Sequence, residues 1–88
     1  MFVLTDAAGL YLTRMLDEAK APQDTAVRFV QESDALKPTL DRTRNGDTVF
    51  DHDGRRVLLL GPAESRRLAS SRLDVQPSEQ GPRLTILN

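Results

Sequence analysis

The sequence has 88 residues, 39% hydrophobic and 28% charged, with a formal net charge of −1 from twelve basic and thirteen acidic side chains. This length admits one small hydrophobic core, and the composition excludes a disordered or fibrous chain. The near-neutral balance gives no general attraction to nucleic acid or anionic lipid, and the absence of cysteine excludes disulfides, a catalytic thiol and thiolate ligation of a metal by these residues.

The first nine residues, MFVLTDAAG, lack a basic start, a long apolar run and a cleavage-like site, so no signal peptide is expected. The longest apolar run, residues 57–60, is far short of the roughly 20 residues that a spanning helix needs. A cytoplasmic location is the resulting expectation.

Along the chain, Ala8, Leu12, Met15, Leu16 and Ala19 recur at helical spacing and predict a helix from about Asp6 to Ala19. Thr5 suits the N-cap, and Asp6 places negative charge at the positive end of the helix dipole. Gly9 interrupts this helix at a cost of about 1 kcal/mol relative to alanine, and Pro22 ends the segment. Residues 27–30 form a short β-prone run, 31–37 read as a polar loop, and 37–42 as a weak strand in which Pro38 indicates an edge. Arg44-Asn45-Gly46-Asp47 reads as a turn.

Residues 48–52 and 55–60 flank Asp53-Gly54, the signature of a type I′ hairpin, whose two central residues need positive φ. The two-residue loop predicts the pairs His52–Arg55, Asp51–Arg56, Phe50–Val57 and Val49–Leu58. Opposite charges then face each other near the tip and apolar residues further in. Away from the tip both faces are apolar, so the hairpin is expected to be covered on both sides. Gly61-Pro62 breaks the strand, and Pro62 suits the first turn of a short helix reaching about Ser70. Residues 73–75 and 84–87 read as two further strands around the loop 76–82. This order predicts an α+β fold with two helices and a mixed or antiparallel sheet, formed by residues 1–88 as one domain.

Two stretches carry a family resemblance: LTDAAGLYLTRMLDE at residues 4–18 and GDTVFDHDGRRVLLLGPAESRRL at 46–68. Together they resemble the A-type iron–sulfur carrier, or HesB-like, family, in which a Leu-Thr-Asp-Ala-Ala type start opens the first helix and a Gly-Asp-Thr-Val-Phe hairpin follows. The closing GPRLTILN at 81–88 is similar in place to the family's last strand. The resemblance implies a HesB-like fold and an association with iron–sulfur cluster assembly. It also implies one cysteine in a glycine-rich loop after the strand at 27–30, and a closing Cys-Gly-Cys pair. Here the loop reads QESDALKP, the closing pair has no counterpart, and no ligand position carries over.

His52, the single histidine, stands between Asp51 and Asp53. Strand alternation puts Asp51 and His52 on opposite faces, and a calcium-loop alignment puts Val49 and Leu60 where carboxylates are needed, so the segment reads as a solvated hairpin tip. The sequence holds no P-loop, dinucleotide fingerprint or nucleophile elbow, and Ser70 and Ser71 have no evident base. The arginines at 42 and 44, at 55 and 56, and at 66, 67 and 72 are candidates for an anion-binding patch, interleaved with acidic residues and with few aromatics. The expectation is therefore a non-catalytic HesB-like module with a protein-binding or regulatory role linked to iron–sulfur assembly. The alternative is arginine-mediated binding of an anionic ligand or nucleic acid. No catalytic, cofactor-binding or metal-ligating residue is assigned.

The hairpin reading predicts that Gly54→Val lowers stability by more than about 1 kcal/mol, because a β-branched residue resists positive φ, and that His52→Ala changes it by less than about 0.5 kcal/mol, as at a surface site. Urea denaturation of the two variants measures both.

Overall fold

Local chemistry sets the ends of the first helix. The Thr5 hydroxyl accepts the Ala8 amide at 3.2 Å and opens α1 (Asp6–Glu18), which closes at Ala19. The computed structural model describes residues 1–33 and 35–88. Around α1 the chain forms β1 (Val3–Leu4), β2 (Thr25–Glu32), β3 (Ala35–Arg42), β4 (Thr48–His52), β5 (Arg55–Leu60), α2 (Pro62–Arg67), β6 (Arg72–Gln76) and β7 (Arg83–Leu87). One sheet has the order β1-β6-β7 and the other β3-β2-β5-β4. The β1–β6 and β2–β5 pairs are parallel and the remaining pairs antiparallel, so the fold is α+β with two helices and mixed sheets.

The core lies where α1 meets both sheets. Ala8, Leu12 and Leu16 of α1 are fully buried against Val27, Phe29, Leu58, Leu60 and Leu73. Met15 is half-buried at the edge of this cluster, and Ala19, expected on the same stripe, is exposed at the helix end. Pro62 opens α2 as expected, but the helix ends at Arg67, short of Ser70.

Three expectations need correction. Residues 31–37 are not a loop: β2 runs to Glu32 and β3 starts at Ala35, with Glu32 paired to Ala35, while Asp34 lies outside the described residues. Their polar side chains suggested a loop, yet the strand beside the β3 edge can carry them. The strand β1 was not anticipated, because two residues carry no periodicity and their partner β6 lies about seventy residues away. The hairpin register also shifts. Asp53 and Gly54 both have positive φ (50° and 79°), and His52–Arg55 and Asp51–Arg56 pair as expected. A β-bulge then makes Phe50 face Leu58 and Val49 face Leu59, instead of Val57 and Leu58. The extra residue lets consecutive Val57 and Leu58 both join the core.

Strands β3 and β4 follow one another in sequence but occupy opposite edges of their sheet. Residues 43–47 must therefore cross over β2 and β5. The crossing covers the face opposite α1, where Ala26 and Leu59 are fully buried, so the expected two-sided covering of the hairpin is met by a turn on one side and a helix on the other. Arg28 of β2, beside Leu59 in the register, fastens this turn. Its guanidinium donates to Asp41 (2.8 Å), to both Asp47 oxygens (2.8 and 2.7 Å) and to the Arg42 carbonyl (3.1 Å). The Arg28 and Asp47 side chains are 8% and 2% exposed. Asp47 also accepts the Arg44 amide, and Gly46 supplies the positive φ the turn requires.

The Arg28 hydrogen bonds hold the Asp47 carboxyl below the usual carboxylate range, assisted by the Arg44 amide. The Arg42 amide, followed by Arg28, does the same for Asp41, and Asp47 raises the pKa of Arg28. A depressed carboxylate pKa contributes stability that is present above the unfolded value, about 3.9, and is lost as pH falls through the folded value. Stability should thus fall on acidification below about pH 4. Asp47→Asn should cost about 2 kcal/mol or more at pH 7, because Arg28 keeps its charge and loses its principal partner, and should make the acid limb shallower. Urea denaturation from pH 2 to pH 7 measures both effects.

Candidate functional site

The residues weighed as metal ligands do not come together. Asp53 and Gly54 are exposed at the hairpin tip as expected, but His52 is not solvated: its side chain is 17% exposed. The imidazole lies against the backbone of Gly9, and a Cβ at that position would fall within 3.0 Å of its Nδ1, Cγ and Cβ atoms. This explains a glycine inside α1: a side chain there would push the helix off β4. His52 Nε2 is 3.5 Å from an Asp53 carboxylate that is 92% exposed. Among the described residues, no group of three or more His, Cys, Asp or Glu side chains is placed to hold a metal ion.

The arginines at 42, 44, 55 and 56 are each engaged by neighbouring carboxylates or carbonyls. Arg42 pairs with Asp24 (3.5 Å), Arg44 with Asp41 (2.6 Å) and Arg56 with Asp51 (3.9 Å). Arg55 donates to the Gln23 and Pro22 carbonyls. Arg56 also donates to the Thr43 hydroxyl, between Arg42 and Arg44, and Arg42 and Arg55 both reach residues 22–24, so these arginines tie strands and turns together with their charges met locally. Arg28, the most consequential arginine, was missed; the available signal was a charge inside the β-prone run 27–30.

The best-formed concavity is an open groove of about 550 Å³. Tyr11 and Met15 of α1 form one wall, and Phe29, Leu36 and Pro38 of β2 and β3 a second. Leu73, Leu84 and Ile86 of β6 and β7 form the opposing wall, and Arg67, Arg83 and Gln31 supply the polar groups. The register puts Phe29 opposite Pro38 and Gln31 opposite Leu36, so these four side chains share the face turned toward the groove. The segment QESDALKP, in place of the cysteine-bearing loop of the resembled family, thus contributes Gln31, Leu36 and Pro38 to an apolar wall. Sequence reading treated Met15 as core and gave Arg83 no role, because only the meeting of the two sheets brings them together.

This fold also occurs in solved structures. It superposes on Escherichia coli SufA, described as involved in biosynthesis of iron–sulfur clusters, with a TM-score of 0.72 and 21% identity, over 99% of this chain and 84% of SufA. For IscA, solved with a [2Fe-2S] cluster, the TM-score is 0.67 at 17% identity, over 100% of this chain and 85% of IscA. For an Aquifex aeolicus protein it is 0.66 at 22% identity, over 99% of this chain and 90% of that one. No protein-family model and no curated protein sequence matches the chain. The fold is that of SufA and IscA, as the resemblance to A-type carriers implied. The groove does not fit a cluster: its side chains offer no thiolate or imidazole, and guanidinium groups are not iron ligands.

The Gly9–His52 contact reverses the expectation for His52. His52→Ala should cost more than a surface substitution, about 1 kcal/mol or more through lost packing. Gly9→Ala should destabilise despite the better helix propensity of alanine. In the double variant the smaller side chain accommodates the new Cβ, so a double-mutant cycle in urea should give a favourable coupling of about 1 kcal/mol.

Proposed function

We propose that residues 1–88 act as a single non-catalytic HesB-like module of the cytoplasm, with a protein-binding or regulatory role beside iron–sulfur cluster assembly, and that the module carries no cluster itself. The observation that carries this reading is the replacement at the groove. The backbone retains the SufA and IscA fold across almost its whole length, while from the segment where the resembled family has its cysteine, Gln31, Leu36 and Pro38 line the groove with amide and apolar side chains. Iron–sulfur clusters are held mainly by thiolates, whose charge and softness suit iron and bridging sulfide. A lone imidazole packed on Gly9 does not substitute for them. What remains is the shape and its surface, and surfaces of this kind serve partners. No helix among the described residues is long and apolar enough to cross a membrane.

A second reading, binding of an anionic ligand through arginine, is favoured by Arg67 and Arg83, which border the same groove.

Anaerobic reconstitution with iron and sulfide tests the first reading. After desalting, the expected result at every protein concentration is no cluster absorption in the visible and no stoichiometric iron. A coloured, stoichiometric cluster that His52→Ala abolishes would contradict it. Retention of iron–sulfur assembly proteins that survives high salt supports the partner role. Retention of phosphate ligands or nucleic acid that is lost at high salt supports the second reading.

A further inference from the structure

Helix α1 fills the space between the inner faces of the two sheets only in part. Leu12 and Leu16 occupy it fully, and beyond Met15 it opens as the groove. Leu36, Leu84 and Ile86 line that opening half-buried and pack against the core cluster. The groove is thus a continuation of the core with one open end, and its volume of about 550 Å³ lies within the roughly 300–1,000 Å³ usual for small-molecule sites.

Among the described residues, the charged side chains that line this opening are both arginines. Arg67 and Arg83 line the groove and both are exposed. Among the described residues, the arginines in ion pairs are Arg28, Arg42, Arg44 and Arg56. No described carboxylate lies within ion-pair distance of Arg67 or Arg83, and no described Asp or Glu lines the groove. Gln31 adds a neutral amide. Guanidinium groups bind carboxylate and phosphate in bidentate geometry, so the apolar walls and the cationic rim select for different ends of one molecule.

We propose that the groove binds an amphiphilic anion, with its apolar tail between the two sheets and its carboxylate or phosphate head on Arg67 and Arg83. The site does not depend on a role in iron–sulfur assembly, and its test reads ligand binding alone.

Decanoate, decyl phosphate and the neutral analogue decanol, each below its micellar concentration, are titrated into the isotopically labelled protein and followed by methyl NMR. At least one anion should give saturable shifts confined to methyls around the groove, those of Met15, Leu36, Leu84 and Ile86, and the tighter of the two identifies the head group. Decanol should bind at least about tenfold more weakly, as loss of a charge-assisted hydrogen bond implies. The double variant Arg67→Ala/Arg83→Ala should lose affinity for the anion by about tenfold or more and leave the weak decanol binding unchanged. Both side chains are exposed, so its unfolding midpoint in urea should match that of the parent. No saturable shift with either anion, shifts centred elsewhere, equal binding of decanol, or an unaffected double variant would each overturn the proposal.

Discussion

Everything on one side of the larger sheet depends on a single guanidinium. Consecutive strands β3 and β4 sit at opposite edges, so a five-residue connection, 43–47, must lie across β2 and β5. Short polar turns bury little apolar surface and do not hold themselves down. Arg28 provides the anchor by reaching Asp41 at the start of the crossing and Asp47 at its end. A buried charge would be costly alone, but each of its nitrogens has a partner, and no described buried side-chain nitrogen or oxygen lacks one. The clamp fixes where β4 begins, and with it the bulged hairpin that brings Val57 and Leu58 to the core and His52 onto Gly9.

The opposite side of the same sheet is organised by apolar packing and is left incomplete. There α1 bridges the two sheets, and the groove marks where the bridge stops. In this fold, shared with SufA and IscA, an ion-pair clamp holds one side of the sheet and apolar packing the other. Neither the clamp nor the apolar bridge uses a metal ligand. The groove presents apolar walls with a cationic rim.

Sequence reading succeeded where the cause is local. Thr5 caps α1, Asp53-Gly54 turns the hairpin and Pro62 opens α2, because each feature follows from dihedral preferences of one or two residues. It failed where the cause is distant. The partners of Arg28 lie 13 and 19 residues away, and the register shift at Phe50 answers to the core rather than to the turn. The two residues of β1 make sense only beside β6. Gly9 was legible as an anomaly, and its explanation, an imidazole from β4, was not. The groove was the least legible feature, since α1, the end of α2 and both sheets contribute to it and no contiguous motif records the arrangement.

The central claim is that ion pairing and apolar packing sustain this fold without a metal or cluster. Its most direct measurement is the thermal unfolding midpoint of the purified protein under anaerobic conditions, with excess ferrous iron and, separately, with a strong chelator. A ligand that binds only the native state raises stability by mass action, and metal-dependent folds unfold when the metal is removed. The account predicts the same midpoint in both solutions. A midpoint several degrees higher with iron, or lower with chelator, would contradict it.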